Sequence, residues 1–325
     1  MKRIRWGIVG LGNIAHKFAS DLQLVGGCEL IAVASSDRSR AQLFAHKFGA
    51  EQVYDSYASF FEQATVDVVY IASLHPFHLE LSLAAMESGK AVLCEKPLAL
   101  NSSQVENLIA KSQSNEVFLM EALWTRFNPT FEQMLLWIDQ NALGKLRYIQ
   151  ASFSFNGLDR DEDSRLFDLK KGGGSLLDIG IYPLFLAYQV LGMPSDIKAS
   201  VQLSTTGADE QLAFILTYDH ALAVLYSSFA HNEDMNATIA GEKGEIYMES
   251  RWHETPNIEL VQGDQKEIKS FEFNGKGYSY EIHEVNDCLR LGKIQSPKWN
   301  HQSSKDLTSL MDSIRKQLGI RYPQE

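Results

Sequence analysis

Trp6-Gly7-Ile8-Val9-Gly10-Leu11-Gly12-Asn13-Ile14-Ala15 reads as a buried strand that turns sharply into a helix. In Gly10-x-Gly12-x-x-Ala15 the first glycine permits the tight turn and the second lets backbone N–H groups approach an anion. Ala15 then allows close packing of helix on sheet. A helix opening at Asn13 aims its N-terminal amides and its dipole at that anion. The run therefore predicts a strand of a parallel sheet, with a dinucleotide over Gly10, Gly12, Asn13 and Ile14. A plain strand–helix turn that binds nothing is the competing reading.

Outward from this turn, residues 1–122 alternate strand and helix as a doubly wound sheet requires. Strand-like runs fall near residues 4–9, 30–33, 66–71, 91–93 and 117–120. The helices between them are marked by Ile14, Phe18 and Leu22 on one face, by Asp55 or Ser56 as a cap, and by Asn101 as another cap. These five runs are read as part of a full dinucleotide-binding Rossmann unit, which has six strands. Beyond Pro129 one helix precedes clustered strands joined by Gly, Asp and Asn turns. This predicts a second, α+β domain over 123–325, built on a large, mostly antiparallel open sheet and covered on one face by the helix after Gly174. An amphipathic helix over about 304–318 is expected to pack back on the first domain.

Composition narrows the function. The chain has 325 residues, enough for two cores, and a formal net charge of -11 at pH 7, which opposes a nucleic-acid surface. Cys28, Cys94 and Cys288 are widely spaced and fit a reduced, cytoplasmic protein with no metal site. Lys2, Arg3 and Arg5 precede a stretch broken by glycines, so the N-terminus reads as a strand rather than a signal peptide. No run approaches the ~18 apolar residues of a membrane span.

Glu95-Lys96-Pro97 closes the strand at 91–93 and places a lysine at the C-terminal sheet edge, where such sheets bind ligands. Lys96 would share a crevice with the dinucleotide, and desolvation there would fit it for hydrogen bonding or proton exchange with a hydroxyl. Glu95 can balance its charge. Leu74, His75 and His78, around the loop after the preceding strand, read as cofactor contacts; His78 alternatively only opens a helix. Ser35, Ser36 and Arg38 follow the second strand where an NAD site usually has an acidic residue, so NADP is favoured over NAD. Asp37 turned inward to the ribose is the alternative, as is a helix start merely solvated by Arg38 and Arg40.

In Gly172-Gly173-Gly174-Ser175-Leu176-Leu177-Asp178-Ile179-Gly180-Ile181-Tyr182-Pro183 a helix from Ser175 puts Asp178 and Tyr182 four apart on one face. Pro183 should bend that helix or mark a boundary. Beside Lys96, a phenol can pass a proton to an alkoxide; a capping carboxylate and a core tyrosine are the plainer alternative. Trp124 can wall a sugar or an aromatic substrate, and Arg126 can contact cofactor, unless both serve packing. Of Phe153 and Phe155, one should face the substrate and the other the opposite face.

These motifs resemble the glucose-fructose oxidoreductase/inositol dehydrogenase (Gfo/Idh/MocA) family over nearly the whole chain. Met120-Glu121-Ala122-Leu123-Trp124-Thr125-Arg126-Phe127 and the closing Ile314-Arg315-Lys316-Gln317-Leu318-Gly319-Ile320 are most similar to the branch of dimeric dihydrodiol and NADP-dependent D-xylose dehydrogenases. The resemblance implies that Lys96 and Tyr182 form a proton-transfer pair, that Asp178 orients substrate and that Trp124 lines the pocket. It also implies a homodimer formed through the C-terminal sheet. Many family members have histidine at the position of Tyr182, and NADP users of the branch commonly have arginine where Ser36 stands. The implied activity is hydride transfer between nicotinamide and a carbinol or carbonyl carbon of a small sugar, polyol or diol. A glycoside hydrolase using transient oxidation, and a catalytically silent nucleotide sensor, are the alternatives.

Overall fold

The computed structural model describes residues 3–325; Met1 and Lys2, the first N-terminal cation, lie outside the described residues. Contacts divide the chain into two units, Met1–Phe127 with Phe273–Lys305, and Asn128–Glu272 with Asp306–Glu325. The first unit opens with β1 (Ile4–Val9), α1 (Asn13–Leu22), β2 (Cys28–Ala34), α2 (Arg38–Phe48), β3 (Gln52–Tyr54) and α3 (Tyr57–Gln63). It continues through β4 (Val68–Ile71), α4 (His78–Glu87), β5 (Ala91–Glu95), α5 (Ser102–Asn115) and β6 (Leu119–Ala122). The strands pair in parallel in the order β3-β2-β1-β4-β5-β6. Strand order therefore reverses between β1 and β4, which is the switch point where such sheets take ligands.

The local chemistry explains most of these elements. β4 and β5 are buried at every residue, as strands covered on both faces must be. Ser56 caps α3 by accepting from the Ser59 amide, and Asn101 caps α5 by accepting from Gln104 at 2.9 Å. Arg5, at the start of the chain, clasps Asp67 through Nε and a terminal nitrogen at 3.1 and 2.7 Å, joining β1 to the approach of β4. β3 is the strand that apolar patterning does not mark, because three residues are too few to show a period.

The second unit contains α6 (Pro129–Asp139), β7 (Leu146–Ser154), a π-helical turn (Leu176–Gly180) and α7 (Ile181–Leu191). Strands β8 (Asp196–Leu203), β9 (Asp209–Thr217), β10 (Leu222–Ser228), β11 (Ala237–Gly241), β12 (Glu245–Met248), β13 (Asn257–Gln262) and β14 (Gln265–Ser270) follow. The eight-stranded sheet runs β14-β13-β12-β11-β7-β10-β9-β8 and is antiparallel except for the β7–β10 pair. α7 packs on β7 and β10, covering one face. The open, mostly antiparallel sheet expected from the turn-rich sequence is thus present. One helical stretch, Leu169–Leu191, meets the length and hydropathy of a membrane span, but 72% of its apolar window is buried inside the protein. It reaches that hydropathy without an unbroken apolar run, and its role here is core.

α8 (Ser279–Arg290) and α9 (His301–Leu318) complete the chain. The sequence reading assigns everything from residue 123 to the second domain, whereas Phe273–Lys305 clusters with the first unit. The reason lies far apart in sequence. Asp21 of α1 accepts from the amides of Lys276 and Tyr278 at 2.8 Å, and Gly275, at φ +88, sits where a Cβ would lie 2.3 Å from its carboxylate. Trp6 donates to Asn286 of α8 at 3.0 Å. From Asp306 onward α9 belongs to the second unit, where Gln317 bonds both the amide of Ala199 and the carbonyl of Ile197.

Candidate active site

The glycine turn after β1 has the geometry of a cradle. Gly10 has φ +86, and a Cβ there would meet the backbone of Ala72 and Ser73 at 2.8 Å. It is therefore the closeness of the β4 exit that demands glycine at this position. Gly12, the residue before α1, gives no side-chain cap, and a Cβ there would meet nothing within 4 Å. Open space above uncapped helix amides, flanked by exposed Asn13 and half-buried Ile14, fits a diphosphate. Ala15 beneath is fully buried.

At the end of β2, Ser35 is buried and its Oγ accepts from the Asp37 amide at 3.2 Å, while Ser36 is exposed. Asp37 caps α2 by accepting from Arg40 at 3.0 Å and pairs with its guanidinium at 3.7 Å. The Arg40 amide, first among its partners, holds the Asp37 carboxyl below its ordinary value. Arg38 is exposed and lies 3.5 Å from Asp55.

Lys96 follows β5 directly and is half-buried, and its bond to Pro97 is cis. Three interior groups grip the turn it stands on. His78 sets Nδ1 at 2.8 Å from the Pro97 carbonyl and Nε2 at 3.1 Å from the Ser73 carbonyl, tying the loop after β5 to the loop after β4. Glu121 of β6 accepts from the Leu98 amide at 2.9 Å and from the Trp299 indole at 3.1 Å. Burial pushes the Glu121 carboxyl above its usual range, against the pull of these donors. The Cys94 thiol reaches the Leu98 carbonyl at 3.9 Å.

Two residues read as cofactor contacts are corrected by this geometry. His78 is fully buried with both ring nitrogens on backbone carbonyls, so it holds the turn rather than facing a ligand. Glu95 turns to the interior and accepts from the Tyr70 hydroxyl, because side chains alternate across a strand and Glu95 lies opposite Lys96. Phe18 stacks on Tyr70 at 3.7 Å, and burial, then Glu95, raises the Tyr70 phenol well above its normal value. Leu74 and His75, after β4, are only half-buried. Trp124 lies 5.0 Å from the Tyr278 ring, and Arg126 donates from Nε to the Lys298 carbonyl at 3.1 Å.

In the second unit Asp178 lies within the π-helical turn and Tyr182 in the first turn of α7. Pro183 has no N–H to return to the preceding turn, and the helix changes register there, so the expected boundary falls between Gly180 and Ile181. Gly180 is required by a neighbour, since a Cβ would lie 2.8 Å from Ser227 Oγ. Arg165 donates to Asp178 at 3.0 Å. The Tyr182 ring sits 5.3 Å from Phe153 and 5.4 Å from His253, and the latter two stack at 4.3 Å.

His253 is a neighbour that sequence reasoning misses: it lies in the irregular stretch between β12 and β13, where no period marks it. Phe153 and Phe155 do not take opposite faces. Both pack against the cluster of Leu166, Phe167, Ile179 and Phe229, as residues two apart on an extended chain must.

A Rossmann sheet with a glycine cradle at its switch point and a lysine on the same C-terminal edge, followed by a unit built on an open sheet, defines a two-domain nicotinamide-nucleotide oxidoreductase. Residues 4–123 match the oxidoreductase family with NAD-binding Rossmann fold, and residues 131–247 match the GFO/IDH/MocA C-terminal domain. Trans-1,2-dihydrobenzene-1,2-diol dehydrogenase of Mus musculus is 35% identical over 334 residues, covering 99% of each chain, and that of Homo sapiens is 35% identical over 335 residues with the same coverage. Among solved structures, the 3-ketoreductase KijD10 of Actinomadura kijaniata, in complex with NADP and TDP-benzene, has a TM-score of 0.86 and 26% identity over 97% of this chain and 98% of its own. The chain belongs to the Gfo/Idh/MocA family, in its dihydrodiol dehydrogenase and ketoreductase branch. It is an NAD(P)-dependent enzyme that transfers hydride to or from a CH–OH carbon of a small polar substrate.

Proposed function

We propose that the enzyme acts on a small sugar, polyol or diol with NADP as preferred cofactor, that Lys96 and Tyr182 are its proton-handling pair, and that Asp178 orients the substrate. A bound nicotinamide supplies or accepts the hydride. Lys96 donates a hydrogen bond to the oxygen on the reacting carbon, and the Tyr182 hydroxyl gives that oxygen its proton in reduction or takes it in oxidation. General acid–base help of this kind is worth ~10² to 10⁴ in rate. Trp124 and Phe153 exclude water from the apolar side of the substrate.

The observation that carries the reading is Lys96 at the C-terminal end of β5, on the sheet edge that also holds the Gly10–Gly12 cradle. Supporting NADP, Asp37 is engaged in capping α2, and Ser36 and Arg38 are among the exposed groups after β2. The 3-ketoreductase relative was solved with NADP, including variants with one lysine or one tyrosine replaced. A diol substrate is favoured by the dehydrogenases at 35% identity.

A homodimer formed through the open face of the second sheet completes the proposal. That face exposes Tyr148 (38%), Ile215 (42%), Leu222 (47%) and Val224 (39%) on three adjacent strands. A reducing, cytoplasmic setting agrees with the free thiols of Cys28, Cys94 and Cys288.

The test is turnover of NADPH and NADH against a panel of sugars, diols and dicarbonyls. Lys96→Met and Tyr182→Phe should each lower kcat by ~10² to 10⁴. Undiminished turnover in both variants refutes the roles.

A further inference from the structure

Asp209, the first residue of β9, is fully buried and lies beneath the turn that carries Asp178 and Tyr182. Its Oδ2 accepts from the Leu176 amide at 2.6 Å and from the Ser175 hydroxyl at 2.9 Å, and Ser175 Oγ is also 3.0 Å from Ser227 Oγ. A carboxylate from a distant strand thus does for this π-helical turn what a capping side chain does for an ordinary helix. The fit is tight. Gly174 stands at φ +124, and a Cβ there would lie 2.1 Å from Asp209 Oδ1 and 3.3 Å from the Tyr322 hydroxyl. Tyr322 closes the other side by donating to the Gly173 carbonyl at 3.0 Å. Asp209 Oδ1 is buried and makes no hydrogen bond.

We propose that Asp209 is a positioning residue, setting through Leu176 and Ser175 the register from which Asp178 and Tyr182 project. The inference rests on the roles given above to those two side chains. No local pattern marks it, since Asp209 and Leu176 are 33 residues apart.

The groups facing the carboxylate are Arg315, which attracts it, and the Tyr322 phenol; Arg315 is itself held by Asp312 and Glu325, each at 2.6 Å. Burial lifts the carboxyl to about 6. The ionised form is the stronger acceptor, so turnover should fall on the acid side with an inflection near that value.

The experiment is a double-mutant cycle. Asp209→Asn, nearly the same shape, should lower kcat about ten-fold, leave KM for NADPH within about two-fold and abolish the acid-side inflection. In a Tyr182→Phe background the same change should cost less than in the wild type, because the Tyr182 hydroxyl is gone and only the part acting through Asp178 remains. Equal losses in both backgrounds, or an unaltered inflection, overturn the proposal.

Hydrogen exchange gives a readout independent of turnover. Amides of 174–182 should exchange about ten-fold faster in Asp209→Asn while those of 10–22 stay unchanged, and unaltered exchange at 174–182 also overturns the proposal. If Tyr182→Phe alone turns over like the wild type, the reading of Tyr182 fails, and exchange alone decides Asp209. Should Asp209→Asn not fold, Ser175→Ala, which removes one of the two contacts, takes its place with smaller changes in the same directions.

Discussion

At the scale of the residue, Lys96 is given its place by groups that do not touch substrate. Glu121 is the most exacting of them, since two of its donors, the Leu98 amide and the Trp299 indole, are buried with it. Glu121→Gln keeps the shape but turns one acceptor into a donor, leaving a buried N–H unpaired at a cost of about 1–3 kcal/mol. The pH dependence follows from the raised carboxyl. Its native value lies above the ordinary 4.5, so the native state holds the proton where the unfolded chain has lost it. Its contribution is full below about 4.5 and declines as pH rises through the native value. Urea unfolding should therefore show the gap between wild type and Glu121→Gln larger at pH 4 than at pH 8. A gap that widens with pH would contradict this account of Glu121.

At the scale of the element, the two glycines of the β1–α1 turn separate structure from binding. Gly10 is demanded by the fold, because its φ of +86 and the backbone of Ala72 leave no room for a side chain. Gly12 has ordinary extended backbone, at φ -82 and ψ -171, and open space above it. Gly12→Ala should change stability by less than about 1 kcal/mol, yet its methyl group would enter the open space proposed for a diphosphate. Isothermal titration should show NADPH affinity weakened at least about ten-fold, with Tm nearly unmoved. Unchanged affinity would mean that the cofactor phosphates do not lie over this turn. The turn itself was legible beforehand because a glycine turn between strand and helix is a local pattern. That His78 and Glu95 point inward was not legible, since neither the packing of the β4 loop nor the position of Tyr70 can be read from neighbours in the chain.

At the scale of the whole molecule, the open sheet face is where the proposed homodimer would form. Leu222 pairs with Tyr148 across β10 and β7, and Val224 pairs with Ile215 across β10 and β9, so the exposed apolar side chains form one patch. Val224→Arg puts a charge at its centre. Light scattering should show the wild type as a dimer and the variant shifted toward monomer, with NADPH affinity in the first unit retained. A variant with unaltered mass would place the interface elsewhere.

The amino-acid sequence by itself determined the alternation of strand and helix, the glycine cradle, the lysine at a strand end and the open second sheet. All of these follow from short-range periodicity and from backbone freedom at single positions. Tertiary structure alone decided that residues 273–305 complete the first unit and that His253 stands beside Tyr182. It alone decided, too, that Asp209 caps the turn of Asp178. Each of these is a contact between residues far apart in the chain, selected by the need to pair buried polar groups and fill the core, and no pattern among sequence neighbours records it.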